Sequence, residues 1–142
     1  MSARAWRRLP AGDRRLLSEA AALVVGTRIA LALLPFRAVH RLAVRAARVP
    51  SRRRPSPARD RIAWAVRAVA SRVPDAACLT EALAAYALMS RHGHPTRLCV
   101  GVRRPEGGSG LDAHAWVEDD ASPAPRGEVD GFARLPLATL ER

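Results

Sequence analysis

Residues 74–118 read PDAACLTEALAAYALMSRHGHPTRLCVGVRRPEGGSGLDAHAWVE, and the order of elements in this stretch decides the fold. Val73-Pro74-Asp75 interrupts any preceding helix, because proline lacks the N–H a helix interior needs. Asp75 then suits an N-cap, which puts Cys78 in the first turn of a new helix. That helix runs through Leu79, Leu83, Tyr86 and Met89 and stops at Gly93, just before Pro95. Thr96 to Val102 reads as a short strand and residues 104–110, RPEGGSG, as a turn. Leu111 to Glu118 follows in strict alternation. Leu111, Ala113, Ala115 and Val117 share one face, and Asp112, His114, Trp116 and Glu118 share the other. A thiol at a helix start and an imidazole on a neighbouring strand are the parts of a cysteine acyl-transfer site.

A thiol attacks a carbonyl as thiolate, and the first turn of a helix favours an anion through its unpaired N–H groups. The same groups suit the oxyanion of a tetrahedral intermediate. Taken alone, a cysteine at a helix start is more often a small buried hydrophobe. His114 shifts that balance, since its face carries Asp112, Trp116 and Glu118 and is no ordinary apolar core face. Its expected role is general base and then acid toward Cys78. A third group should orient the imidazole. Asp112 lies nearly 7 Å along the same strand, too far for a natural hydrogen bond. A third strand over Gly127–Phe132 would supply Glu128, with Asp130 as substitute. Cys99, alternating with Leu98 and Val100, reads as packing. Cys78, His92, His94 and Cys99 do not have zinc spacing, and Gly107 to Gly110 has no phosphate-binding lysine after it, so neither a metal nor a cofactor is expected.

Outward from this stretch, 142 residues suffice for one domain with one core. All 24 basic residues are arginine, and they are unevenly spread. Residues 1–72 hold 17 arginines against three acids, a net +14, whereas residues 73–142 hold 7 against 10, a net −3. The triplet Arg52 to Arg54 has no interleaved aromatic, so nucleic acid is not an expected partner. Two cysteines make no disulfide framework, and a reduced, cytoplasmic chain is the default.

Residues 16–36, LLSEAAALVVGTRIALALLPF, have the length of a membrane span. Glu19 and Arg28 within them favour a buried or interfacial helix, capped by Asp13 and ended by Pro35. Phe36 to Val49 continues as a basic amphipathic helix. Val39, Leu42, Ala43, Ala46 and Ala47 lie on one side, Arg37, Arg41, Arg45 and Arg48 on another. That arginine stripe is either a solvated face or a docking surface for an acidic peptide, a partner or a phospholipid layer. Residues 50–57 are a proline-rich linker, and Arg59 to Arg72 is helical with Ile62, Val66, Val69 and Ala70 on one face.

The segment CLTEALAAYALMSRHGHPTRLCVGV followed by AHAWVE resembles the transglutaminase-like leader peptidases of lasso-peptide biosynthesis, the C-terminal half of the microcin-processing maturation protein B. LLPF at the end of the hydrophobic helix and IAWAVRAVASRVP before the cysteine are also similar, so the likeness spans most of residues 16–135. The resemblance implies a cysteine peptidase that removes the leader from a ribosomally made precursor and leaves the core peptide to an ATP-dependent cyclase. Cys78 matches its nucleophile and His114 its base. Its third member is usually an Asp soon after the HAWVE strand, and Glu128 is the nearest match here. Residues 1–73 lack the strand pattern of a leader-binding element. The resemblance therefore implies a stand-alone peptidase served by a separate leader-recognition protein. The N-terminal helices are candidate contacts for that protein, for the cyclase or for a membrane surface.

The expected fold is α+β of the papain/transglutaminase type, a catalytic helix packed on a small antiparallel sheet. A helical region and linker over residues 1–58 would precede a peptidase core over 59–142. Two rivals keep the same residues. One is an acyl transferase passing the acyl group to an amine, and the other is a non-catalytic peptide- or membrane-binding module.

Overall fold

The structure is a computed structural model that describes residues 8–51, 55–105, 107, 110–119 and 129–137. Four helices, α1 (Ala11–Leu33), α2 (Phe36–Ala47), α3 (Arg59–Ala70) and α4 (Cys78–Arg91), are followed by β1 (Arg97–Arg103), β2 (Asp112–Glu118) and β3 (Ala133–Arg134). The expected α+β architecture, a central helix against a small antiparallel sheet, is what the chain adopts.

Helix α4 is the centre because its sequence is apolar on nearly every side, and such a helix must be covered all round. Ala84, Leu88 and Met89 join Leu16, Leu17, Ala20 and Val24 of α1 and Ile62, Ala65, Val66 and Ala70 of α3. On another side Ala82 and Leu83 meet Val39 and Ala43 of α2, Leu98 of β1 and Ala115 of β2. The alanines of α4 let neighbouring backbones approach closely, while Leu83 and Leu88 fill the space between them.

Two helix starts differ from expectation. Pro10, and not Asp13, precedes α1; a proline's missing N–H costs nothing there. Asp13 instead sits in the first turn, where its carboxylate accepts from Arg61 Nε of α3 at 3.1 Å. At α4 the N-cap is Ala77, without a side-chain cap. Asp75 has φ of 56°, a left-handed position that aspartate tolerates, and its carboxylate accepts from Arg28 Nη2 at 3.4 Å.

The far end of α4 is tied down by polar contacts. His92 is buried, with Nε2 3.0 Å from Glu19 Oε2 of α1, and the His92 carbonyl accepts from Ser56 Oγ at 2.7 Å. His94 Nε2 donates to the Pro57 carbonyl at 2.9 Å. Both histidines thus fasten α4 to α1 and to the end of the linker.

In the sheet, β1 is central and pairs antiparallel with β2 (Gly101↔His114, Cys99↔Trp116) and with β3 (Gly101↔Arg134). The third strand therefore begins at Ala133, beyond the expected Gly127–Phe132. Val129 to Phe132 forms a turn closed by Phe132 N–H to the Val129 carbonyl at 3.2 Å. Strand β3 also lies across β1 from β2, so it does not pair with the strand bearing His114.

Leu88 is fully buried where α1, α3 and α4 meet. Leu88→Ala should cost about 2–5 kcal/mol, read as a lowered denaturation midpoint with an unchanged m-value.

Candidate active site

Cys78 is the first residue of α4, and the preceding turn is held from outside. Arg28 of α1 donates through Nε to the Pro74 carbonyl at 3.3 Å, as well as to Asp75. The Cys78 thiol is partly exposed and lies 4.0 Å from the Ala113 carbonyl oxygen, within sulfur hydrogen-bonding range. Sγ therefore meets β2 at the main chain immediately before His114.

Alternation along β2 separates two faces. Ala115 and Val117 turn toward α4 and α2, so His114, Trp116 and Glu118 occupy the other face. There the His114 ring stacks on Trp116, with centroids 6.0 Å apart and planes 18° apart, and meets Phe132 at 5.7 Å. Thiol and imidazole thus approach the same end of β2 from opposite faces. Among the described residues β2 is an edge strand, so its outer edge is the side on which the two groups can meet.

This second face is more enclosed than its polar residues suggest, for Trp116 and Glu118 are 8% and 5% exposed. Trp116 Nε1 and Arg134 Nη2 each donate to Glu118 Oε1 at 2.7 Å. Burial would raise the Glu118 pKa. The indole hydrogen bond and the Arg134 charge outweigh it and hold the carboxyl below its ordinary range. Gly101 makes room for the rings: a Cβ there would stand 2.9 Å from Trp116 Cη2 and 3.0 Å from Phe132 Cβ.

The family described as the transglutaminase-like superfamily matches residues 21–136. The chain belongs to the transglutaminase-like superfamily. That superfamily generally includes cysteine peptidases and acyltransferases, the chemistry suggested by a cysteine opening the central helix. No curated protein and no solved structure matches the chain.

Of the other residues singled out in this transglutaminase-like chain, Glu128 lies outside the described residues. Asp130 is exposed in the turn that ends at Phe132, the ring against His114. Asp112 is engaged with Arg103, whose Nε donates to its carboxylate at 3.0 Å. Cys99 is buried, and burial, followed by the nearby Glu118 charge, pushes its thiol pKa up. It is a packing residue and a poor nucleophile at neutral pH. Gly101, Phe132 and Arg134 were not among the sequence candidates. Gly101 carried a usable signal, because a glycine inside an apolar strand often marks a close approach.

Two substitutions probe this face. Gly101→Ala forces Trp116 or the Phe132 main chain aside, at a cost of roughly 1–3 kcal/mol, and should weaken the near-UV circular dichroism of the Trp116 environment. The depressed Glu118 pKa contributes stability above the ordinary carboxylate pKa of about 4.3, and this is lost as pH falls through the folded value. Acidification should therefore lower the melting temperature of wild type more than that of Glu118→Gln.

Proposed function

We propose that the chain is a cysteine peptidase that removes the leader from a ribosomally made lasso-peptide precursor. The observation that carries the chemistry is Cys78 at the start of α4 with its thiol against the main chain next to His114, in a superfamily of thiol acyl-transfer enzymes. The choice of substrate rests on the resemblance of CLTEAL, RHGHP, LCVGV and HAWVE to the lasso leader peptidases.

In this reading His114 takes the Cys78 proton, and Sγ attacks the carbonyl carbon at the leader/core junction. The oxyanion forms beside the N–H groups of the first turn of α4. The C–N bond breaks, the imidazolium protonates the leaving amine of the core peptide, and water then hydrolyses the thioester to free the leader carboxylate. Glu128 or Asp130 orients the imidazole. Position favours Asp130 among the described residues, since it lies two residues before the ring that packs on His114. No metal or cofactor takes part in these steps. A separate leader-recognition protein presents the precursor in the cytoplasm, and the cyclase consumes the core peptide. In the acyl-transferase alternative an amine replaces water at the thioester.

The test is mass spectrometry of a lasso precursor incubated with this protein and the recognition protein, for wild type and Cys78→Ala in parallel. A free leader carboxylate from wild type alone is expected, with the rate reduced at least about 1,000-fold in the variant. A leader amide formed with an added amine would favour transfer. Intact precursor in both tubes, with Cys78 alkylated by iodoacetamide no faster than Cys99, would leave a binding module.

A further inference from the structure

Helix α1 buries Leu16, Leu17, Ala20 and Val24 in the core and leaves another side apolar and uncovered. Val25, Ile29 and Leu33 recur at every fourth residue, which puts them in one row on successive turns. All three are exposed, Ile29 at 53% and Leu33 at 76%, and Leu34 beyond the helix end is exposed too. Ala22 and Gly26 beside this row form one wall of a groove of about 170 Å³, and Val39, Leu42 and Ala46 of α2 form the other. Leu42, expected on the packed side of α2, is instead 46% exposed on the groove's rim. Immediately past it on α2 stand exposed Arg41 and Arg45, with Arg37 and Arg48 on the same side of the helix. The surface thus grades from an apolar row, across a groove lined mainly by small residues, to a cationic row.

We infer that this α1/α2 face is a docking surface for an anionic lipid bilayer, with Val25, Ile29, Leu33, Leu34 and Leu42 entering the acyl boundary and Arg41 and Arg45 at the headgroups.

The chemistry within the apolar row favours lipid over protein. Between Ala20 and Phe36 the polar side chains are Thr27, which lines the groove, and Arg28, which is turned to Pro74 and Asp75. The row therefore offers a partner no side-chain hydrogen bonds, whereas protein interfaces typically carry one per 100–200 Å². Hydrocarbon needs none. The flanking charge is of one sign, as an interfacial helix on anionic lipid requires. Two copies meeting through this face would bring together surfaces of the same strongly basic half. Length and hydropathy alone would allow α1 to cross a membrane, but a crossing would strip Leu16, Leu17, Ala20 and Val24 from the core, whereas docking leaves that core intact.

Flotation of the full-length protein with phosphatidylcholine vesicles, with and without phosphatidylglycerol, tests the surface. Binding is expected on the phosphatidylglycerol vesicles and should weaken at high salt. Arg41→Ala with Arg45→Ala should reduce partitioning about 25-fold, and Leu33→Glu at least about 10-fold. Leu111→Glu, at a comparably exposed leucine elsewhere, should bind as wild type does. Circular dichroism checks that each variant is folded. Cys78→Ala should also bind normally, so the result is independent of the peptidase reading. No binding to either vesicle, or binding indifferent to these variants, would overturn the inference. So would a concentration-dependent dimer, or a complex with the leader-recognition protein, that Leu33→Glu disrupts while vesicles remain unbound.

Discussion

The structure depends on the burial of α4 from several directions at once. A helix with Ala82, Leu83, Ala84, Ala87 and Leu88 all buried cannot be satisfied by one packed layer. It draws α1 and α3 onto one side and α2 with the sheet onto another. This arrangement fixes both ends of the helix. His92 and Ser56 anchor its C-terminal end, and Arg28 holds the turn at its N-terminal end. Cys78 is consequently the first residue of a helix whose axis is immobilised by packing, and its thiol is carried to one end of an edge strand. A nucleophile needs that constraint, since small displacements of a reacting group cost large factors in rate.

The sheet contributes a second constraint. His114 is not an isolated imidazole on a wet strand, because Trp116 and Phe132 pack against it and Glu118 fixes the indole through a 2.7 Å hydrogen bond. Arg134 neutralises the buried carboxylate, and Arg103 lies 4.5 Å from the Phe132 ring centroid. These contacts join β2 and β3 across the glycine of β1, so the missing side chain at Gly101 is a structural requirement. The imidazole therefore rests on a platform assembled from three strands.

Charge and apolar exposure divide the molecule in a related way. The net positive half supplies α1, α2 and α3, while the second half, with a small negative balance, supplies α4 and the sheet. A few specific pairs, Arg28 with Asp75 and Arg67 with Glu81 among them, join the halves. Surface pairs of this kind contribute little stability individually. The main joint is the shared apolar core, which leaves the outward arginines of α2 to serve a surface role.

The sequence by itself determined the order and type of the elements, because periodicity and proline or glycine punctuation act locally. The alternation of residues 111–118, the break at Pro35 and a helix beginning within a turn of Cys78 were all legible, and so was the packing role of Cys99. Helix caps were less legible, since Asp13 and Asp75 have the right side chains for capping but bind distant arginines instead. Only the tertiary structure decided what faces His114. Which strand lies beside which depends on contacts far apart in sequence, and β3 settled against β1, away from β2. Phe132, 18 residues after His114, reached its ring only because that pairing folds the turn back over Gly101. Tertiary packing likewise selected which side of the apolar stretch from Ala20 to Leu34 was buried and which remained exposed, a choice that this stretch, apolar apart from Thr27 and Arg28, did not specify by itself.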